Sequence, residues 1–296
     1  MEVVARHTRA RWVLVYSVCS LSLLLTNKLA LTTFPAPNAL TCLQLLTSSL
    51  VLSLLVVYSG HKKTDHTTLA LFGIEASCFS LGLLANMKAL LYTSVGAVIA
   101  ARSCLPLLVL SLEVVTRRAA SVVRWRSMLC LAGVAAFACG FAFVDPGLML
   151  SGSTGIFWLL MYDTILAFQV LYGKWLIGRV PMSHLQRALY TNSFGLPLSL
   201  CMFHSSKEYG IDSFVLALRE STLMISITCF LGFGISYSSW RLRAMVEAST
   251  FSLIGVVNKM LTVIISSCTL DAQSSSIGIM FLLGCIACAF FYERLN

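Results

Sequence analysis

Residues 248–268 read ASTFSLIGVVNKMLTVIISSC, an apolar run broken near its middle by Asn258-Lys259. A stretch of this length and composition spans a bilayer as a helix. An ammonium at membrane depth costs on the order of 3 kcal/mol, so a lysine there marks a functional position, and its natural partner is an anion. The rest of the chain has the same character. Of its 296 residues 58% are hydrophobic and 11% charged, and the mean hydropathy is +0.86, too apolar for a soluble domain and diagnostic of a polytopic membrane protein.

About ten windows are long enough to cross the hydrocarbon core, which takes roughly 20 apolar residues each. They run over 12–34, 38–59, 68–91, 94–115, 127–145, 154–177, 184–204, 220–242, 246–269 and 275–293, and leave no room for a soluble domain. The first follows Arg6, Arg9 and Arg11 and is read as a retained signal anchor, because it is too long for a cleaved signal and more spans follow. With the N-terminus cytosolic, alternation puts Arg6, Arg9, Arg11, Lys62, Lys63, Arg117, Arg118, Arg124, Arg126, Lys174, Arg179, Arg187, Arg241, Arg243 and Arg294 on the cytosolic side. Only Lys207 and Arg219 fall opposite, and this asymmetry supports both the count and the orientation, with both termini cytosolic. The net charge of +9 is then topology, and nucleic acid is excluded because no basic module forms.

Eleven cysteines invite a metal or disulfide reading, yet all fall within helices. The single CxxC, Cys285 and Cys288, lacks a second pair or a histidine cluster, so they are read as small packing residues and no metal is expected. Paired catalytic aspartates, HExxH and Ser/His arrangements are absent, so an enzyme is not expected. No cofactor is called for.

The halves resemble one another. Lys28 precedes Pro35 by seven residues, as Lys174 precedes Pro181, and Ser94–Ala100 can be laid on Ser249–Gly255. Five spans repeated once, over 1–147 and 148–296, force the second copy to enter the membrane inverted. The predicted fold is therefore an all-α integral membrane protein of ten transmembrane helices in two inverted five-helix repeats, a plan of transporters that work by alternating access. On the ninth span Phe251, Gly255, Asn258 and Thr262 share a face at i, i+4, i+7 and i+11, with Lys259 beside them. Gly255 admits a ligand close to the backbone, and the amide and ammonium suit hydroxyl and phosphate oxygens. Lys259 could instead pair with a buried acid such as Glu75 or Asp163, and Asn258 could hold another helix. The four cations within spans, Lys28, Lys88, Arg102 and Lys259, outnumber the two deepest acids, Glu75 and Asp163, which suits a doubly charged phosphorylated solute. Lys28, Lys88 and Arg102 lie toward the lumenal side, along an exit path or anchored at the headgroups.

Gly255-Val256-Val257-Asn258-Lys259 resembles the Gly-Ala-Leu-Asn-Lys signature of GDP-mannose transporters, and Leu189-Tyr190-Thr191-Asn192 resembles their Phe-Tyr-Asn-Asn signature, with Pro197 at the matching distance. The order Thr26-Asn27-Lys28, Ile235-Ser236-Tyr237, Ser249-Thr250-Phe251-Ser252 is also similar. The resemblance is to the nucleotide-sugar transporters of the drug/metabolite transporter superfamily, nearest the plant-type Golgi GDP-sugar branch. It implies a ten-helix antiporter in the Golgi membrane (alternatively the endoplasmic reticulum) that imports a nucleotide sugar and returns the nucleoside monophosphate; a homodimer is compatible with it. Carried over, Asn192 reads guanine supported by Tyr190, while Gly255, Asn258 and Lys259 contact sugar and phosphate. Tyr16 then matches a sugar-side tyrosine and Ser236 a ribose-side serine. Lys28, Arg102 and Thr191 are secondary candidates. In the assumed topology Tyr16, Asn192, Ser236, Phe251 and Lys259, from four helices, share a depth between the cytosolic mouth and the midplane.

The chain departs from the pattern twice. Thr191 replaces an asparagine that would pair with the base, and Phe251 a tyrosine that would face the sugar, so base and sugar are less determined than the class. A UDP-sugar transporter or another phosphorylated-solute antiporter has the same fold; a non-transporting scaffold would need no polar midplane. A GDP-sugar and GMP each carry about two charges at neutral pH, so exchange moves little net charge and needs no proton relay, although Glu75 and Asp163 leave a proton-driven alternative.

Overall fold

A computed structural model describes residues 2–60, 64–93, 95–115, 125–144, 152–206, 218–269 and 276–295. Among them are ten long α-helices and no strand: α1 (Glu2–Thr33), α2 (Pro37–Tyr58), α3 (His66–Tyr92), α4 (Val95–Val115), α5 (Trp125–Val144), α6 (Gly152–Arg179), α7 (His184–Ser206), α8 (Thr222–Met245), α9 (Ala248–Thr269) and α10 (Ser276–Leu295). These match the ten predicted windows to within a few residues, except that α1 begins ten residues earlier. Proline at N1 starts α2, where its missing N–H costs nothing. Gly60, at φ +64°, follows the end of α2 in a left-handed conformation that only glycine adopts freely.

Eight of the ten, α1 to α6, α8 and α9, are long and apolar enough to cross a membrane. The apolar run of α10, Ile277–Tyr292, is shorter. At 23 residues, α7 is long enough, since a rise of about 1.5 Å per residue carries it through the hydrocarbon. Its hydropathy is lowered by Gln186, Arg187, Thr191, Asn192 and Ser199, all buried. The same polar residues that make α7 a candidate site weaken its reading as a span.

The chain forms two compact units, one of Met1–Ser80 with Trp175–Met245 and the other of Leu81–Lys174 with Val246–Asn296. It passes from one to the other within α3, within α6 and between α8 and α9.

In the first unit α2 packs on α7 and α8, and α1 runs along α8. Ala30, Phe34, Ala36, Leu40, Ile225 and Cys229 form a buried apolar cluster. Asn27 Oδ1 accepts a 2.8 Å bond from Gln44 Nε2, tying α1 to α2 in place of the water that lipid does not supply. The turn from α6 to α7 is closed by Arg187, whose guanidinium donates to Val180 O at 2.8 Å and Ile177 O at 3.3 Å. A cation on the last carbonyls of a helix meets both their hydrogen-bonding need and the helix dipole.

In the second unit α5 packs on α10 and α4, and α4 on α9. Leu131, Val134, Leu253, Val256, Met260 and Leu282 form its core. Close approach of α5 to α10 depends on glycine: a Cβ on Gly133 would stand 2.9 Å from Cys288 Sγ, and one on Gly284 would stand 2.8 Å from the Phe137 ring. Small residues at such seams let helices pack where no hydrophobic effect separates lipid from side chain. Cys285 is buried in the same seam and its thiol donates to Val134 O at 3.4 Å. The CxxC thus packs α10 onto α5, as its composition suggested.

Candidate functional site

Each unit carries one cluster of predicted site residues. In the first, α7 presents Tyr190, Thr191 and Asn192, and α8 presents Ser236. Asn192 is buried, and its amide nitrogen donates to Ala188 O one turn back at 2.6 Å and to Ser236 Oγ across to α8. Both amide hydrogens are consumed, so the side-chain oxygen is left as an acceptor. Thr191 Oγ1, also buried, has no hydrogen-bond partner. Tyr190 is held three ways: its hydroxyl bonds Thr64 Oγ1 at 2.7 Å, and its ring lies 5.7 Å from Phe72 and stacks on Phe194 at 6.0 Å. Downstream, Pro197 lies inside α7, where it removes one helical hydrogen bond, and Ser80 Oγ on α3 donates to Gly195 O.

Tyr16 is buried on α1. Trp12 and Cys19, four residues before and three after it, share its face, and both meet α8: Trp12 packs edge-on to Tyr237 at 5.7 Å, and Cys19 lies 3.1 Å from the position of a Cβ on Gly234. Tyr16 thus lies on the face of α1 that meets α8.

In the second unit α9 is two-sided. Leu253, Val256 and Met260 enter the core, and the opposite side carries Phe251, Gly255, Asn258 and Thr262, as the spacing predicted. Asn258 is 1% exposed, its amide nitrogen has no partner, and its backbone oxygen accepts from Thr262 Oγ1. Lys259 is half-buried, and among the described residues nothing bonds or pairs with its ammonium. Arg102 on α4 donates to the Tyr162 hydroxyl and lies 5.9 Å from that ring's centroid; Asp163 Oδ1 beside it is buried without a partner. Lys28 lies on α1, with its side chain outside the described residues.

Buried polar groups are nearly always satisfied, and an orphan costs about 1–3 kcal/mol. Thr191 and Asn258, from two different signature-like stretches, both have one, and each therefore has bonding capacity to offer a polar ligand. Glu75 is not the partner that sequence offered for Lys259: its carboxylate, wholly buried, is paired at 2.9 Å with Arg243. Arg243 had been counted as a cytosolic charge, and nothing in the local sequence marks it as paired.

A second partner was also missed. Glu113 on α4 is buried, and its carboxylate accepts from the backbone N–H groups of Ala248 and Ser249 at 3.2 and 3.3 Å. It caps the N-terminus of α9, where unpaired N–H groups and the helix dipole favour an anion. Lys174 Nζ donates to the neighbouring Val246 O. An acid in the last turn of a predicted span was the available signal.

The fold recurs in a solved crystal structure that superposes with a TM-score of 0.68 at 14% identity, covering 97% of this chain and 99% of that one. No family model matches the chain. Two curated proteins of Arabidopsis thaliana are similar along almost its whole length. GDP-fucose transporter 1 is 28% identical over 97% of this chain and 86% of its own, and GDP-mannose transporter GONST3 is 26% identical over 94% and 76%. Eight of the ten helices are long and apolar enough to cross a membrane, and the signature-like stretches lie on α7 and α9. Both relatives are named as transporters of GDP-sugars, and the chain is similar to them along nearly its whole length.

Proposed function

We propose that this protein carries a GDP-sugar across the Golgi membrane, with fucose or mannose as the sugar, in exchange for GMP. The observation that carries the reading is the bonding state of Asn192. Its nitrogen is engaged by Ala188 and Ser236, which leaves its oxygen as the acceptor for a ligand, and guanine offers N–H donors on its Watson–Crick edge. Thr191, with an unused hydroxyl, supplies the second contact to the base, and Tyr190 holds the α7 turn that carries both. Lys259 and Asn258 take the phosphates, Gly255 gives the sugar room at the backbone, Phe251 walls it, and Tyr16 and Ser236 contact the sugar and ribose. Arg102 and Lys28 are the secondary cations. The similarity to two GDP-sugar transporters supports the substrate class.

All ten helices cross the membrane in this reading, with both termini cytosolic. The close packing of α2 with α7, α4 with α9 and α5 with α10, each a pair in equivalent positions of the two chain halves, supports two inverted five-helix repeats over 1–147 and 148–296. Exchange follows the charge argument, because a nucleotide sugar and the monophosphate balance to a good approximation.

Counterflow in proteoliposomes tests the reading. Vesicles preloaded with GMP should take up labelled GDP-fucose or GDP-mannose, and those preloaded with UMP should not. Uptake of UDP-sugars driven by UMP would assign the protein to the uridine branch, and no exchange with any nucleotide would refute transport of nucleotide sugars.

A further inference from the structure

We propose that the Glu75–Arg243 ion pair is a positioning pair that sets the base selectivity of the first unit by fixing how α8 presents Ser236 to Asn192. The inference rests on the reading of Asn192 as the base contact. Neither residue is placed against substrate.

The geometry begins on α8. Ser236, Trp240 and Arg243 stand at i, i+4 and i+7 and so share one face, with Ser236 two turns, roughly 10 Å, from Arg243. At one end of this face Ser236 Oγ accepts the Asn192 amide. At the other, Arg243 donates to Glu75 of α3 at 2.9 Å. Its guanidinium lies 5.2 Å from the Trp240 ring, and that ring is 5.9 Å from Phe72, one turn before Glu75 on α3. Phe72 in turn packs on Tyr190 at 5.7 Å, two residues before Asn192. The pair therefore reaches Asn192 by two routes, through the rotation of α8 and through an aromatic chain to α7. On the far side of Asn192, Ser80 of α3 bonds Gly195 O of α7. Helix α3 thus contacts both of the helices that carry the Asn192–Ser236 bond.

Stability alone is a weak reason for such a pair. Glu75 is 0% exposed, and burying two charges costs several kcal/mol per ion before their attraction returns it, so apolar residues of similar volume often serve as well or better. A charge pair adds direction: the Nη1–Oε1 bond is short and charge-assisted and so restricts how the two groups approach, and a leucine–methionine contact tolerates many geometries. Without the pair, α8 can turn by a fraction of a residue, Ser236 leaves the Asn192 amide, and the amide is free to offer either its oxygen or its nitrogen to the base.

The test is counterflow on the full chain, reading the ratio of guanine- to uracil-nucleotide inhibition beside the melting temperature. The variants are Glu75→Leu with Arg243→Met, the single Glu75→Gln, and the swap Glu75→Arg with Arg243→Glu. The expected result is an apolar double variant that melts at or above the parent temperature and loses about tenfold in the ratio, the discrimination carried by one hydrogen bond. Adding Asn192→Ala to it should lower the ratio no further. If the double variant does not fold, the swap decides, because it restores a pair and should recover part of the ratio lost in Glu75→Gln. An unchanged ratio in a folded double variant, or no recovery in the swap, overturns the positioning role and leaves the base contact standing. A parent protein that exchanges nucleotides with no guanine preference, or exchanges none, overturns the base reading and this inference with it.

Discussion

The Asn192 amide donates to Ser236 Oγ, so the motif on α7 and the Ile235-Ser236-Tyr237 element on α8 form one hydrogen-bonded unit. Each looked like a separate ligand contact in sequence. In the fold one of them orients the other.

That dependence makes Ser236→Ala informative. It leaves Asn192 in place but releases one amide hydrogen, so guanine-nucleotide affinity should fall by about three- to tenfold. Asn192→Ala removes the acceptor itself and should cost more. Inhibition of counterflow by graded GMP measures both, and equal losses would show that Ser236 is no mere support.

Thr191 offers a gain-of-function test. Its buried hydroxyl lacks a partner, and asparagine would supply the bidentate edge that threonine cannot. Thr191→Asn is expected to tighten GMP inhibition several-fold, by roughly the value of one net hydrogen bond. Thr191→Val should weaken it slightly with no loss of thermal stability.

Lys259 separates a ligand role from a structural one by the sign of a stability change. No described group pairs with its ammonium, so Lys259→Met removes a desolvated charge and should hold or raise the melting temperature while abolishing exchange. A lysine that holds the fold would lose stability along with activity. Detergent-solubilised protein in a thermal-shift assay, run beside proteoliposome counterflow, distinguishes them.

The α5–α10 seam predicts a purely structural phenotype. Gly284→Ile would drive a side chain into Phe137, which lies 2.8 Å from the first added carbon, and overpacking of this kind costs about 1–3 kcal/mol. Reduced melting temperature with an unaltered nucleotide preference is the expected outcome.

Most of the fold was legible because membrane spans are written in composition. The ten windows and the ten helices coincide within a few residues, save that α1 begins ten residues earlier, and eight of those helices are long and apolar enough to cross a membrane. What sequence did not disclose were pairings between distant segments: Thr64 with Tyr190, Glu75 with Arg243, Glu113 with the start of α9. Each joins residues more than a hundred positions apart, and no local pattern encodes which acid meets which base or backbone. The polar content of α7 illustrates the opposite difficulty, since one set of residues both suggested a site and diluted the apolar signal that identifies a span.

Arg187 contributes to the positive charge by which orientation was assigned, yet it is buried and holds the carbonyls of Ile177 and Val180. A topology map built by neutralising basic residues one at a time would therefore register its loss as a change of insertion when the defect lies in the α6–α7 turn. Orientation in this chain is better probed by adding charges to the ends than by removing those already fastened inside.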